Sequence, residues 1–233
     1  MRRRLVLAAA VVCLPVGVAA CGGDEEAAPT ADPAAALAKA KSVLDGAKGV
    51  GLDLKSSIDI PQGNSGVSAA KGTGIIDATT PKFKGTVSAV VNGTPATVDM
   101  VAIGEKTWMS LFTPKLMPVD LEDLGAPNPG KLFTPDTGLS SLLTKATGPA
   151  LGKEERFGKE VLQTYTAKIP GNVIQDLLRL GDAASTFDAN FGILPATGEL
   201  RQAKVTGTFY QGVSSTYTVI LTDYGKTIDI QQP

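Results

Sequence analysis

Phe83-Lys84-Gly85-Thr86-Val87-Ser88-Ala89-Val90-Val91-Asn92-Gly93 reads as a strand running into a tight turn. Side chains alternate between the two faces of a strand. Phe83, Val87, Ala89 and Val91 therefore point one way, and Lys82, Lys84, Thr86 and Ser88 the other. Asn92-Gly93 is a strong two-residue hairpin signal, because both central residues of such a turn take positive φ. Beyond it Ala96, Val98, Met100 and Ala102 return on the same face, with Asp99 outside. The pattern extends in both directions. Val50, Leu52, Leu54, Ile58 and Ile60 fall at even positions, residues 61–66 read as a turn, and residues 67–77 continue the alternation more weakly. Gly104-Glu105 suits a second tight turn, and residues 106–112 form a further strand carrying Trp108. Five strands thus run as a meander.

Helices punctuate the rest. Asp32-Pro33 opens the first, with Asp32 as N-cap and Pro33 at N1, and the helix is expected over residues 34–48 before Gly49. Leu37, Val43, Leu44 and Ala47 give it an apolar stripe to lay on a sheet. Residues 113–132 have no clear period and read as a long loop, fit either to rim a binding site or to serve as a solvated connector. Thr134-Pro135-Asp136 starts a second helix with Leu139, Leu142, Leu143 and Ala146 on one face. A hairpin about Gly158-Lys159 follows, and Val173, Ile174, Leu177 and Leu178 stripe a third short helix closed by Gly181. Four strands finish the chain, at residues 185–191, 200–208, 215–222 and 226–231.

The fold class is therefore α+β: nine to eleven antiparallel strands, each with one apolar face, and about three helices. A sheet this wide curls. Its inner positions are often small (Gly85, Ala89, Ala96, Ala102), unlike the bulky residues that fill a barrel. Three short helices cover only part of its concave face. Both a filled core and a residual apolar cavity fit this pattern.

The beginning of the chain has a different character. Arg2-Arg3-Arg4 precedes a short apolar run, then Val18-Ala19-Ala20-Cys21. Positive residues, a short apolar stretch and small residues make a secretory signal, and the cysteine after small residues matches the bacterial lipobox. There Cys21 is acylated and becomes the first mature residue. The run is short for a transmembrane helix, which needs about 20 apolar residues. The expected domains are a signal peptide at 1–20, the lipidated cysteine with a flexible tether at 21–31, and a folded domain at 32–233. The protein would stand outside the cytoplasm, held on the outer face of the plasma membrane by its N-terminal lipid.

Composition excludes several functions. The chain has 233 residues, a formal charge of −1 and 5% aromatics, and it turns more acidic once the three arginines leave. Nucleic-acid binding asks for clustered cations and stacking aromatics, so no nucleic-acid partner is expected. There are two cysteines and no histidine. Cys13 leaves with the signal and Cys21 is spent on the anchor, so no disulfide framework is expected. Without histidine, triad catalysis and histidine-bearing zinc sites are closed. The adjacent acids Glu122/Asp123 and Glu154/Glu155 point to opposite faces if they lie on strands, and so do not supply facing carboxylates. No enzyme activity, catalytic residue, metal or cofactor is expected. Lys71, Lys168 and Arg201 could meet an anionic head group, though solvated surface charge accounts for each.

Thr134-Pro135-Asp136-Thr137-Gly138-Leu139 is similar to an Asn-Pro-Asp-Thr-Gly-Leu segment of the mycobacterial lipoproteins LppX, LprA, LprF and LprG. Asp223-Tyr224-Gly225-Lys226 resembles that family's aromatic-Gly turn, and Asn92-Gly93 falls where the family has a Gly-rich hairpin. The resemblance spans residues 32–233 together with the lipobox. One departure is residues 185–191, where the family has a Trp-containing strand and this chain has Phe187 and Phe191. The resemblance implies a curved antiparallel half-barrel of the LolA/LolB kind, with helices packed across the concave face of the sheet. It also implies a hydrophobic cavity for a di- or triacylated lipid or glycolipid. Such a protein would carry lipid from the plasma membrane toward the outer envelope, with a membrane transporter as a further partner. On the sheet, Leu52, Leu54, Phe83, Val87, Ala89, Val91, Val98 and Met100 are the expected lining. From the helices come Leu139, Leu142, Leu143, Val173 and Leu177. The alternative is a non-catalytic accessory or signalling lipoprotein that binds a membrane protein. A monomer is expected in either case.

Overall fold

The structure is a computed structural model, and it describes residues 32–110 and 113–233. The signal, Cys21 and the tether lie outside the described residues.

The first helix, α1 (Pro33–Asp45), starts where the capping chemistry puts it. The Asp32 carboxylate accepts from the Ala34 amide at 3.0 Å, and Pro33 fills the first turn. The helix ends earlier than its composition suggests. Gly46 caps it, Lys48 turns at φ 60, and Gly49 already belongs to the first strand. At Gly49 the Lys226 carbonyl oxygen lies 2.4 Å from where a Cβ would sit, so the chain needs glycine there as strand rather than as cap.

Among the described residues, eleven strands form one curved, unclosed antiparallel sheet. The first six are β1 (Gly49–Ser56), β2 (Gly66–Ile75), β3 (Lys82–Val91), β4 (Thr94–Ile103), β5 (Lys106–Ser110) and β6 (Leu116–Val119). The last five are β7 (Thr147–Phe157), β8 (Glu160–Pro170), β9 (Thr186–Ile193), β10 (Leu200–Tyr210) and β11 (Val213–Thr222). Their order is β6-β5-β4-β3-β2-β1-β11-β10-β9-β8-β7. The chain therefore starts in the middle, meanders to one edge, crosses to the other edge and meanders back. The Asn92-Gly93 turn closes β3 on β4 in the expected register, with Val91 opposite Thr94, and both turn residues have positive φ.

Four segments depart from the periodicity. The first strand stops at Ser56, so Ile58 and Ile60 lie beyond it. Within the presumed loop, Leu116–Val119 pairs with β5, and Pro118 is accommodated because β6 is an edge strand. The second helix is much shorter than expected. Asp136 takes φ 66, a 3-10 turn covers Leu139–Ser141, and α2 is only Leu142–Lys145. Residues 226–231 form no strand. After β11 the Asp223–Gly225 turn carries the chain across the start of β1, where the Gly225 amide donates to the Gly49 carbonyl at 2.9 Å. The chain then runs over the outer face of the sheet, where Lys82 Nζ donates to the Ile230 carbonyl at 3.2 Å. There Ile230 seals a small second core with Val101 and Trp108.

The main core lies on the concave face. Leu37, Ala40 and Leu44 of α1 are buried, as are Leu139, Leu142 and Leu143 of the crossover. Lys41 ties the two together, donating to Asp45 at 2.6 Å and to Asp136 at 2.8 Å. These carboxylates raise the Lys41 pKa, and Lys41 in turn holds the Asp136 carboxyl below its usual range. A second 3-10 helix, Pro129–Phe133, presses Phe133 onto the sheet. Its ring stacks on Phe83 with centroids 6.1 Å apart, over Gly74, where a Cβ would come within 2.1 Å of the ring. Only glycine leaves room for that contact. The third helix, α3 (Gly171–Leu178), connects β8 to β9 and ends in a left-handed Arg179.

Candidate functional site

The two halves of the concave face are filled differently. Over β8–β11 the space is occupied by α1 and by aromatic rings. Phe187 and Phe209 lie 4.8 Å apart, and Phe209 meets Tyr217 edge-on at 4.6 Å. Over β1–β5 the side chains are small, and an apolar pocket of about 310 Å³ remains. Its floor is buried and consists of Leu54, Ala70, Val87, Met100 and Met109. Cross-strand pairing places these side by side: Leu54 faces Ala70, Ala70 faces Val87, and Met100 faces Met109. The alternation first read in residues 83–102 puts Val87 and Met100 on this face.

The roof is the crossover segment. Leu121, Leu124, Ala126, Pro127, Pro129 and Leu132 all line the pocket, joined by Leu178 at the end of α3 and Leu180 just after it. An exposed ion pair, Arg179 to Glu122 at 3.5 Å, links these two covers. The lining becomes accessible toward the β3–β4 hairpin, where Thr94 and Ala96 are exposed, and at Leu124. That end is the mouth. The interior offers almost no polar atom. The Tyr217 hydroxyl, the exception, donates to the Val67 carbonyl at 2.6 Å and lies 3.0 Å from the Tyr210 hydroxyl. Burial raises the pKa of both phenols, so they remain neutral donors.

Of the thirteen expected lining residues, Leu54, Val87, Ala89, Val91, Val98 and Met100 bound this pocket. Leu52, Phe83, Leu139, Leu142 and Leu143 are buried in the core away from it, and Val173 packs against that core. Leu177 is buried and borders a separate polar hollow with Asp120, Glu122, Asp176 and Arg179. The roof lies within residues 113–132, the loop read as a candidate rim, but its individual residues were not legible, because a segment without period gives no parity to read. Leu121 and Leu124 among acids were the available signal.

The cations considered for a head group are all paired. Lys71 lies 3.5 Å from Asp53, Lys168 pairs with Asp188, and Arg201 holds Glu160 through two bonds of 2.8 and 2.9 Å. This guanidinium keeps the Glu160 carboxyl below the usual range. Among the adjacent acids, Glu122 pairs with Arg179 and Glu155 with Lys204 at 3.2 Å. Among the described residues no cluster of acids and cysteines has the makings of a metal site, and no helix is long and apolar enough to cross a membrane.

Comparison with known proteins fits this geometry. The sequence profile of the LppX_LprAFG lipoprotein family matches residues 32–230. The structure of LprF from Mycobacterium bovis superposes with a TM-score of 0.73 at 12% identity, covering 86% of this chain and 96% of that one. The lipoprotein LppX of Mycobacterium tuberculosis superposes at 0.62 with 14% identity, covering 85% and 98%. At such identities the likeness is one of fold. No curated protein matches in sequence.

Proposed function

Because this chain belongs to the LppX_LprAFG lipoprotein family, we propose that it binds acylated lipid in the apolar pocket and carries it from the plasma membrane toward the outer envelope. The observation that supports this reading is the lining: twenty-one of the described residues bound the pocket, and the one buried hydroxyl among them is already hydrogen-bonded within the protein. Such a surface has nothing to offer a polar solute. It suits hydrocarbon, which leaves its head group at the mouth.

The energetics allow carriage in either direction. Taking a chain out of water gains about 0.8 kcal/mol per CH₂, whether the destination is a bilayer or a protein pocket. Exchange between the two is therefore close to neutral, and the protein's task is to keep the tail from water in transit. Acylated Cys21 would hold it within reach of the donor membrane. The reading is of a binding protein.

The test uses Cys21→Ser, which removes the acylation site. The variant is expected in the soluble fraction after a salt wash, folded by circular dichroism. Mass spectrometry of its organic extract is expected to find acylated lipid at up to one per chain. A soluble, folded variant that neither co-purifies with lipid nor takes it from vesicles would overturn the proposal.

A further inference from the structure

Charge is unevenly spread along this chain. Charged residues make up 19% of it, yet residues 60–70, 85–98 and 205–222 contain none. Antiparallel pairing brings these three stretches to one end of the sheet. In a meander successive turns fall at alternate ends, so the β1–β2 loop, the β3–β4 turn and the β10–β11 turn share an end. There Gly66 pairs with Val90, the Asn92 amide donates to Ser65 Oγ at 3.1 Å, and the Ser57 amide donates to the Thr216 carbonyl at 2.8 Å. The connections at the opposite end carry charge: Asp77 after β2, Glu105 after β4, Lys159 after β7, Glu199 after β9 and Asp223 after β11.

The uncharged end is also the mouth of the pocket. Val67, Val91, Thr94 and Ala96 belong both to these stretches and to the pocket lining. Pro95 and Ala96 are exposed, Val90 and Val91 are half-buried, and Leu124 of the roof is exposed on the same pocket. The charges at this end include Asp59 in the β1–β2 loop, Asp123 beside Leu124, Lys115 before β6, Asp182 after α3 and the Arg179–Glu122 pair. They are of both signs, with no surplus of cations. Contact with water alone gives no reason to clear three neighbouring stretches of charge. Contact with a lipid bilayer does, because a charge moved toward hydrocarbon loses its hydration at high cost, whereas Asn, Gln, Ser and Thr lose less. Attraction to anionic lipid takes clustered lysines and arginines, and this end has none.

We propose that this end of the sheet is the face the protein sets against a lipid bilayer, and that it docks through uncharged and apolar contact rather than through attraction to anionic lipid. A chain leaving the bilayer then enters the pocket without crossing open water. This deepens the lipid-binding reading above and rests on it. The contact is brief, since binding at a bilayer surface scales with the apolar area buried and the rim offers small side chains. A protein without its lipid anchor therefore still washes free of the membrane.

The test uses the mature Cys21→Ser protein, which is free of cysteine once Cys13 leaves with the signal. Pro95→Cys, exposed near the β3–β4 turn, or Ala196→Cys, exposed in the β9–β10 loop at the opposite end, then carries a single NBD fluorophore. With excess phosphatidylcholine vesicles, the label at 95 is expected to brighten severalfold and shift to shorter wavelength. The label at 196 is expected to emit as it does in buffer. Raising salt from about 0.1 M to about 1 M shortens the screening length from about 10 Å to about 3 Å and is expected to change neither reading. In a separate arm, Gln62→Glu with Pro95→Glu places charge on two turns of the rim, outside the pocket lining. The pair is expected to slow uptake of pyrene-labelled phosphatidylcholine from vesicles about tenfold and to leave loading from detergent solution unchanged. The docking inference is overturned, with lipid binding intact, by no response at 95, by an equal response at 196, or by a response that needs anionic lipid. A response that appears without vesicles as protein concentration rises would mean a second copy at this face, and overturns it too. So does vesicle uptake that the double variant leaves unaltered. Failure of the parent protein to load from either source overturns the lipid-binding reading, while the fluorophore still decides the docking.

Discussion

Val87 is the residue at which pocket and core can be told apart. It is buried at the centre of the pocket floor, opposite Ala70 on one side and Val98 on the other. In a filled core, tryptophan there would overpack at a cost of about 1–3 kcal/mol. Over an open pocket the indole enters free volume instead. Val87→Trp is therefore expected to keep its circular dichroism spectrum and a melting temperature within a few degrees, and to lose most lipid loading. Thr86 faces outward, its hydroxyl donating to Asp99 at 3.1 Å, so Thr86→Trp is expected to load normally. Severe destabilisation by Val87→Trp would mean a filled core, and normal loading by a stable variant would put the chain elsewhere. The face that Val87 shares with Ala89, Val91, Val98 and Met100 was legible from alternation alone, because a strand's parity is a local property. Tyr217 was not. Its parity was readable, but its place beside Val67 depends on β11 meeting β1, and β1 meeting β2, across most of the chain.

At the scale of elements, the readings that failed share a cause. The expected second helix and final strand both contained the right apolar spacing, and in both the backbone does something that spacing does not record. Asp136 turns left-handed to meet Lys41, leaving one helical turn for Leu142 and Leu143. The closing segment leaves the sheet at Gly225 and uses Ile230 as a plug over Val101 and Trp108. Apolar residues were needed either way, so their pattern could not choose between strand and plug. The plug has a built-in reporter, since Trp108 is the chain's one tryptophan. Ile230→Ala is expected to cost about 2–4 kcal/mol and to shift tryptophan emission to longer wavelength. Lipid loading should not change, because the pocket is on the other face. Unaltered emission and stability would show that the segment is not seated there.

At the largest scale, the described residues form a single sheet whose two halves take different fillings, rings and α1 over one and an open pocket under the crossover over the other. Capping, turns and alternation carried most of the strand list in the sequence. They carried neither the strand order nor the asymmetry of filling, which arise only once distant strands are side by side. The order has a consequence for how the chain reaches this state. Nine of the ten ladders join strands adjacent in sequence, and the tenth, β1 with β11, joins Gly51 to Thr222. Each meander can zip up locally, but the seam between them waits on closure of a loop nearly as long as the domain. Non-local pairings of this kind set folding rates. A circular permutant opened between Ala146 and Thr147, with residue 233 linked flexibly to residue 32, turns the seam into a near neighbour and the crossover into a tail. It is expected to refold faster than the parent, and an equal or slower rate would show that the seam is not the slow step. With the seam as the slow step, the pocket half and the aromatic half are expected to assemble separately in the natural order, and the pocket then has no side wall until the last ladder closes.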